Sequence, residues 1–469
     1  MEKYVEFIKN NIIKISNILL NHNAELWAFV YPAFVRKEYY IFDKKSVNFS
    51  NLFDSDKISI YIHVPFCVKK CSFCIYYVDN DRSDESMDRY ANSLLKEIDY
   101  YILKTPNKPY ISSLLIWWWT PTLLTPIHIN KIISKIKSHF KTDNKSQFTV
   151  ESTPSQITDD MVKNMLESWV NRISIWVQSF NYDILQDQNR YQKNIIVYNA
   201  FKILRKYNFP SINIDLIYGL NKNENIDNFL NDNLVHILKL KPDSIDLYSN
   251  QDISNNTNVV DYNVINDINY IIDYVNNKLW KRVITSILNV WIKNINVLDW
   301  NFPYNKSKFN YDIRFLLNTI SIWIWAVWNF FDKDWKFYYY KFNANNLEEY
   351  NKLIELWDFS YKFNHFDYYK VLKMFFIRNI RLWINKNSLM NIFNNNWYIE
   401  HIRTILKRIY PYIESNDTNI YLKSNYEDFL PFKFNNSVVN YFIFSFFYLY
   451  DDNDRDDFYE KINYYLNDN

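Results

Sequence analysis

Three cysteines make up the whole thiol content of these 469 residues, and all three lie in one string, YIHVPFCVKKCSFC, residues 61–74. Cys67, Cys71 and Cys74 stand in a C-x3-C-x2-C spacing just after a β-branched and aromatic run. A loop leaving a strand lets three thiols converge without a regular element constraining the backbone between them. Three converging thiolates suit an iron–sulfur cluster with one iron left unligated by protein. A structural zinc ion asks for four protein ligands, and no fourth cysteine or nearby C-terminal histidine offers itself. A redox dithiol would use Cys71 and Cys74 alone and leave Cys67 without a task.

The elements that must carry this loop can be traced by hydrophobic period. From Ile58 onward short β-rich runs alternate with helical patterns: ISIYIHV, a helix over ESMDRYANSLLKEIDYYI, ISSLLI, a helix near Pro126 to Phe140, FTVEST, a helix from Asp159 to Ser168, RISIWVQS, helices to Asn208, SINIDLIY, a helix to Leu240, and SIDLYSN. Six strands joined by helical crossovers imply a parallel sheet, and we expect an α/β fold, a six-stranded open relative of the (β/α)8 barrel. Barrel sites gather at the C-terminal strand ends. Here the cysteine loop follows strand one, Trp117-Trp118-Trp119-Thr120-Pro121 follows strand two, and Glu151, Gln178 and Asp215 lie in strands three, four and five. A carboxylate buried there is costly without a partner, so each acid either meets a ligand or joins a salt bridge inside the barrel.

Composition sets the outer bounds. A hydrophobic share of 48% is ample for a core, and a net charge of +2 makes no electrostatic case for nucleic acid. No apolar run reaches membrane-spanning length, and the periodic, charged N-terminal stretch is unlike a signal peptide. Thiols confined to one motif fit a reducing cytoplasm. We expect an N-terminal extension over 1–55, a core over 56–250, a core extension and substrate-side segment over 251–345, and a mainly helical C-terminal domain over 346–469. In that last part the Tyr and Phe stripes read as core.

Glycine is out of line. The chain has a single one, Gly219, against 16 tryptophans, where average usage of about 7% would give roughly thirty glycines. Tryptophan falls where a chain wants glycine: Trp117 to Trp119 at a strand-to-loop turn, Trp169 at the end of a helical pattern, Trp176, and Trp323, Trp325 and Trp328 in SIWIWAVWNF. Three indoles at such a turn would block a ligand, whereas glycine permits positive φ and close backbone approach. The Asn, Ile, Lys and Tyr bias suggests an AT-rich genome. We read many of these tryptophans as UGA codons that the organism translates as glycine.

The cysteine spacing resembles that of the radical S-adenosylmethionine (SAM) enzymes, and YIHVPFCVKKCSFC with ISIWVQSF and DLIYGL resembles the group of oxygen-independent coproporphyrinogen III oxidases and related haem chaperones. The likeness runs from about Ile58 to Tyr248. It implies the partial barrel, with a C-terminal helical domain, a [4Fe–4S] cluster held by Cys67, Cys71 and Cys74, and SAM chelating the open iron and cleaved there to a 5′-deoxyadenosyl radical. By the same likeness Tyr61 and Phe73 lie at the cluster and SAM, and Glu151, Gln178, Arg190 and Asp215 are polar SAM contacts. Trp118, Trp119 and Thr120 occupy the family's Gly-Gly-Gly-Thr-Pro segment, from which WWWTP departs unless it is recoded. Chemically the acids and amide can accept from ribose hydroxyls or an ammonium, and Arg190 can pair with a carboxylate. The implied partners are a tetrapyrrole or haem and an electron donor such as flavodoxin or ferredoxin. The family's oxidases carry a further cysteine shortly after the motif, whereas Cys74 is followed by Ile75-Tyr76-Tyr77. That favours the haem chaperone branch over an oxidase. A methyltransferase or haem-degrading member of the group is the alternative.

Overall fold

The computed structural model describes residues 56–249 almost throughout and, in the main, 262–279, 284–286, 319–322, 328–331, 337–366 and 396–423, with scattered positions elsewhere. Eight parallel strands form one open sheet: β1 (Lys57–His63), β2 (Tyr110–Trp117), β3 (Gln147–Ser152), β4 (Arg172–Gln178), β5 (Ile212–Tyr218), β6 (Ser244–Ser249), β7 (Ile284–Ser286) and β8 (Thr319–Ile322). Their order is β7-β6-β5-β4-β3-β2-β1-β8. The six expected strands are present in chain order. The sheet is wider than expected, because β7 adds beside β6 and β8 beside β1.

The crossovers are α1 (Asp84–Lys104), α2 (Pro126–His139), α3 (Asp159–Glu167), α4 (Tyr182–Asp187), α5 (Asn194–Lys206) and α6 (Ile226–Leu240), followed by α7 (Tyr262–Leu279). Local signals start them. Ser83, Thr125 and Thr158 each accept a backbone N–H from the first turn of α1, α2 and α3, and Pro126 opens α2, where its missing N–H costs nothing. Their apolar stripes, such as Tyr90, Leu94 and Ile98 of α1 and Ile129, Ile132 and Ile136 of α2, bury against the sheet. All seven residues of β5 are buried, Ile212, Ile214 and Leu216 in the apolar core and Asn213 and Asp215 on the opposite face.

Beyond the parallel sheet the described residues form short antiparallel strands and helices, and within 346–469 helical positions outnumber strand positions among the described residues. Strands β9 (Trp328–Phe331), β10 (Phe337–Phe342) and β11 (Tyr361–Phe366) form an antiparallel sheet around α8 (Leu347–Glu355). A second small sheet contains β12 (Ile384–Asn385), β13 (Ile413–Ser415) and β14 (Asn419–Leu422), beside α9 (Asn396–Ile409). In β10, FYYYKF is aromatic at every position but Lys341, a composition that suits a pleated surface. Helix α1 binds this part to the core. Arg89 pairs with Glu348 and Glu355, and buried Glu97 accepts from the hydroxyls of Tyr350 (2.5 Å) and Tyr361 (3.0 Å).

Two tryptophans sit in left-handed backbone. Trp169, after α3, has φ 69°, and Trp357, after α8, has φ 60°. Both close a Schellman motif. Trp169 N–H donates to Leu166 O and Val170 N–H to Met165 O; Trp357 N–H donates to Ile354 O and Asp358 N–H to Leu353 O. That position is the one at which helices favour glycine. The same motif after α4 and α5 is closed by Asn189 and Asn208, the residue type that best tolerates it after glycine. Trp117 ends β2 and is half-buried, and Trp176 lies at a β4 bulge without positive φ. Trp118, Trp119, Trp323 and Trp325 lie outside the described residues, as does most of 1–55.

Candidate active site

Because all eight strands run one way, the loops after β1 to β5 open along one edge of the sheet. The cysteine loop follows β1 directly. Its first thiol, Cys67, is buried; Cys71 and Cys74 are partly exposed, and none of the three is in a disulfide. Cys74 N–H donates to Cys71 O, folding the second half into a turn. The loop after β2 reaches it: Thr120 N–H donates to Phe66 O (3.0 Å), and the Thr120 hydroxyl points to Cys67 Sγ (3.8 Å). From the far side Arg190 brings Nη1 to 3.9 Å from Cys71 Sγ. Burial pushes the Cys67 thiol up, so the thiolate needs positive charge beside it, which iron and Arg190 would supply. Among the described residues no three His, Cys, Asp or Glu side chains are gathered as for one metal ion. A four-iron cube spaces its ligand sulfurs more widely than a single ion does, so a cluster does not require such a gathering.

Arg190 is held firmly. Its Nη2 donates to Trp176 O and to Gln192 Oε1 (2.7 Å), and Gln192 in turn donates to Val177 O (3.0 Å). Gln192 escaped the sequence reading, although it stands two residues after Arg190 in NRYQ. Gln178 ends β4 at φ 68°, and Ser179 N–H donates to Val177 O. This γ-turn of positive φ is an uncommon, strained arrangement for a residue with a Cβ. Its amide lies at the C-terminal end of β4.

Glu151 and Asp215 are both buried in the sheet, on the strands to either side of β4. Burial pushes both carboxyls well above the usual range, with Asp215's charge adding to the effect on Glu151 and Asp246's adding to that on Asp215. Asp215 Oδ1 accepts from Ser174 (2.9 Å) and Asn213 (2.8 Å), and Arg172 pairs with Asp246 at 3.4 Å. The internal salt bridge expected as the alternative for these acids therefore exists, but it belongs to Arg172 and Asp246, which sequence reasoning had not singled out. Asp215 borders that network, and Glu151 leaves one oxygen over.

The remaining residues separate by role. Tyr61 is buried in β1, its hydroxyl 2.9 Å from His63 Nδ1 and its ring edge-on to Trp117 at 6.0 Å. Phe73 packs on a small apolar cluster of Ile184, Leu185, Ile217 and Leu220, which anchors the cysteine loop.

Three buried polar atoms at this edge have no protein partner: Glu151 Oε2, Gln178 Oε1 and Arg190 Nε. Each such atom costs about 1–3 kcal/mol when left unbonded. Two acceptors and one donor at one strand edge beside a three-thiol loop match a ligand with ammonium, hydroxyl and carboxylate groups, which is the donor set SAM presents.

Residues 61–230 match the radical SAM superfamily. The heme chaperone HemW of Buchnera aphidicola subsp. Schizaphis graminum is 32% identical over 197 residues, 42% of this chain and 51% of that protein. The oxygen-independent coproporphyrinogen III oxidase of Helicobacter pylori is 30% identical over 203 residues, 43% of this chain and 44% of that one. The match thus spans about half the length of these relatives. The structure of coproporphyrinogen III oxidase (HemN) from Escherichia coli aligns with a TM-score of 0.62 at 18% identity, covering 84% of this chain and 92% of that one, which shows a shared fold. Radical SAM proteins use a [4Fe–4S] cluster and SAM. A three-cysteine loop, a parallel sheet that opens its strand ends toward it, and these similarities agree: residues 61–230 match the radical SAM superfamily, and over about half the length of its relatives the chain is similar to oxygen-independent coproporphyrinogen III oxidases and heme chaperones.

Proposed function

We propose that this chain binds a [4Fe–4S] cluster through Cys67, Cys71 and Cys74, binds SAM beside it, cleaves SAM reductively, and acts on or carries a tetrapyrrole. The observation that carries the reading is the juxtaposition of Arg190 with Cys71 and of Thr120 with Cys67, next to the unpartnered atoms of Glu151, Gln178 and Arg190. A cluster held there would supply the electron that breaks a carbon–sulfur bond of SAM. The chain's residues bind and orient. Arg190 offers Nε to a carboxylate, Glu151 and Gln178 offer oxygens to an ammonium or ribose hydroxyl, and Thr120 and Phe73 hold the loop. The electron comes from an external donor such as flavodoxin or ferredoxin, since these residues contain no thiols beyond the three.

Between the two relatives, the absence of a further cysteine after Cys74 favours a heme chaperone-like role over an oxidase-like one. A radical SAM methyltransferase or a haem-degrading activity is the alternative. Among the described residues no helix is long and apolar enough to cross a membrane; a cytoplasmic location is supported by the confinement of all three thiols to one motif. The test is anaerobic reconstitution followed by measurement of 5′-deoxyadenosine with and without haem or coproporphyrinogen. Formation of 5′-deoxyadenosine, abolished in a Cys67, Cys71, Cys74→Ala triple variant that also loses iron and sulfide, is expected. A triple variant that keeps the cluster would refute the assignment. Turnover that depends on coproporphyrinogen would favour the oxidase branch, and haem binding without turnover the carrier.

A further inference from the structure

We propose that the turn Gln188–Tyr191 is a positioning clamp for the cysteine loop, holding its thiols in place before and after the cluster is inserted. The proposal rests on the reading that this loop carries a cluster. Each of the four residues touches a different residue of the loop between Lys69 and Ser72. Gln188 O accepts from Ser72 N–H (3.1 Å), Asn189 Nδ2 donates to Lys70 O (3.2 Å), Arg190 Nη1 approaches Cys71 Sγ (3.9 Å), and the Tyr191 ring lies under Lys69 Nζ (4.3 Å).

The clamp is itself fixed. Its Schellman closure has Asn189 at φ 60°, with Asn189 N–H on Gln186 O and Arg190 N–H on Leu185 O. Gln188 Nε2 donates to Leu220 O (2.9 Å), tying the turn to the loop after β5. Asparagine is suited to this point because it accepts left-handed backbone and still carries a donor. Glycine would keep the turn and lose the tether. The same turn presents Arg190, so the loop and the SAM-facing guanidinium are set by one element.

The test uses the full chain, reconstituted anaerobically, as Asn189→Gly and Asn189→Asp. Asn189→Gly removes the tether with the backbone conformation retained, and Asn189→Asp turns the donor into an acceptor facing Lys70 O. Iron release to a ferrous chelator is followed by absorbance, the dithionite-reduced cluster by electron paramagnetic resonance with and without SAM, and folding by thermal denaturation. We expect release at least fivefold faster for Asn189→Gly and faster still for Asn189→Asp, with altered resonance and an unchanged melting temperature for Asn189→Gly. Release at the wild-type rate in both variants with unchanged spectra overturns the clamp, as does faster release that merely follows a lowered melting temperature. If the wild-type chain takes up no four-iron cluster, the underlying reading falls and the clamp with it.

Discussion

Trp169 and Trp357 allow the glycine reading to be tested with the indole's own contacts cancelled. Both rings are about half exposed, with Trp169 under Lys137 Nζ at 3.6 Å and Trp357 edge-on to Phe359 at 4.9 Å. Replacing Trp by Gly alone would mix the loss of those contacts with the relief of left-handed backbone. Comparing Trp→Gly with Trp→Ala removes the mixture, because both variants lack the ring. In a helix interior Ala is favoured over Gly by about 1 kcal/mol. At φ 69° and φ 60° the order should reverse, since a Cβ costs roughly 1–2 kcal/mol in left-handed backbone while Gly's extra unfolded freedom returns about 0.4–1 kcal/mol. The expected net is about 0.5–1 kcal/mol per site in favour of Gly, so about 1–2 kcal/mol for W169G/W357G over W169A/W357A. With an unfolding entropy of about 2.1 cal/mol/K per residue this is on the order of 1–2 °C in Tm, and a shift in urea midpoint at constant slope. Calorimetry and urea titration read it directly. An alanine pair as stable as the glycine pair would refute the backbone argument. Mass spectrometry of the native protein completes the case: glycine at 169 and 357, as at 117–119, 176, 323, 325 and 328, is expected from UGA codons, and tryptophan there would refute recoding.

Other outcomes follow from the site and the core. The literal WWWTP chain should bind SAM weakly by equilibrium dialysis and its Trp117, Trp118, Trp119→Gly form tightly; equal binding would remove the reason for glycine there. Arg190→Ala should weaken SAM binding by roughly ten- to a hundredfold, the loss of a charge-assisted bond of about 1.5–3 kcal/mol, with Arg190→Lys recovering only part because a point charge does not replace the fork; wild-type affinity in Arg190→Ala would remove the residue from the site. Burial pushes the Glu97 carboxyl up to about 8. Its folded form therefore keeps the proton through a window in which the unfolded chain has lost it. The stabilisation is complete below about 4.5, the ordinary carboxyl value, and is lost as pH rises to about 8, by on the order of a few kcal/mol. Urea unfolding at pH 5, 6.5 and 8 should show wild-type stability falling more steeply than that of Glu97→Gln, and parallel slopes would refute the assignment.

The residues that announce this protein are local. A C-x3-C-x2-C string, β-rich runs alternating with amphipathic helices, and a missing glycine complement are all properties of short windows, and short-range physics decides them: side-chain period, capping, and the donor chemistry of thiols. For that reason the parallel sheet, the cysteine loop after β1 and the misfit of Trp169 were readable from the chain alone. Arg172 and Asp246, 74 positions apart, meet inside the sheet; nothing in either neighbourhood marks them, because burial and pairing arise only when β4 and β6 flank β5. Gln192 acquires meaning only from the carbonyl of Val177 and the guanidinium of Arg190. The tertiary structure likewise laid Gln188–Tyr191 against residues 69–72 and turned the C-terminal aromatic runs into sheets, since long-range strand pairing and desolvation, and not local propensity, set which groups are buried together and which are left facing a ligand.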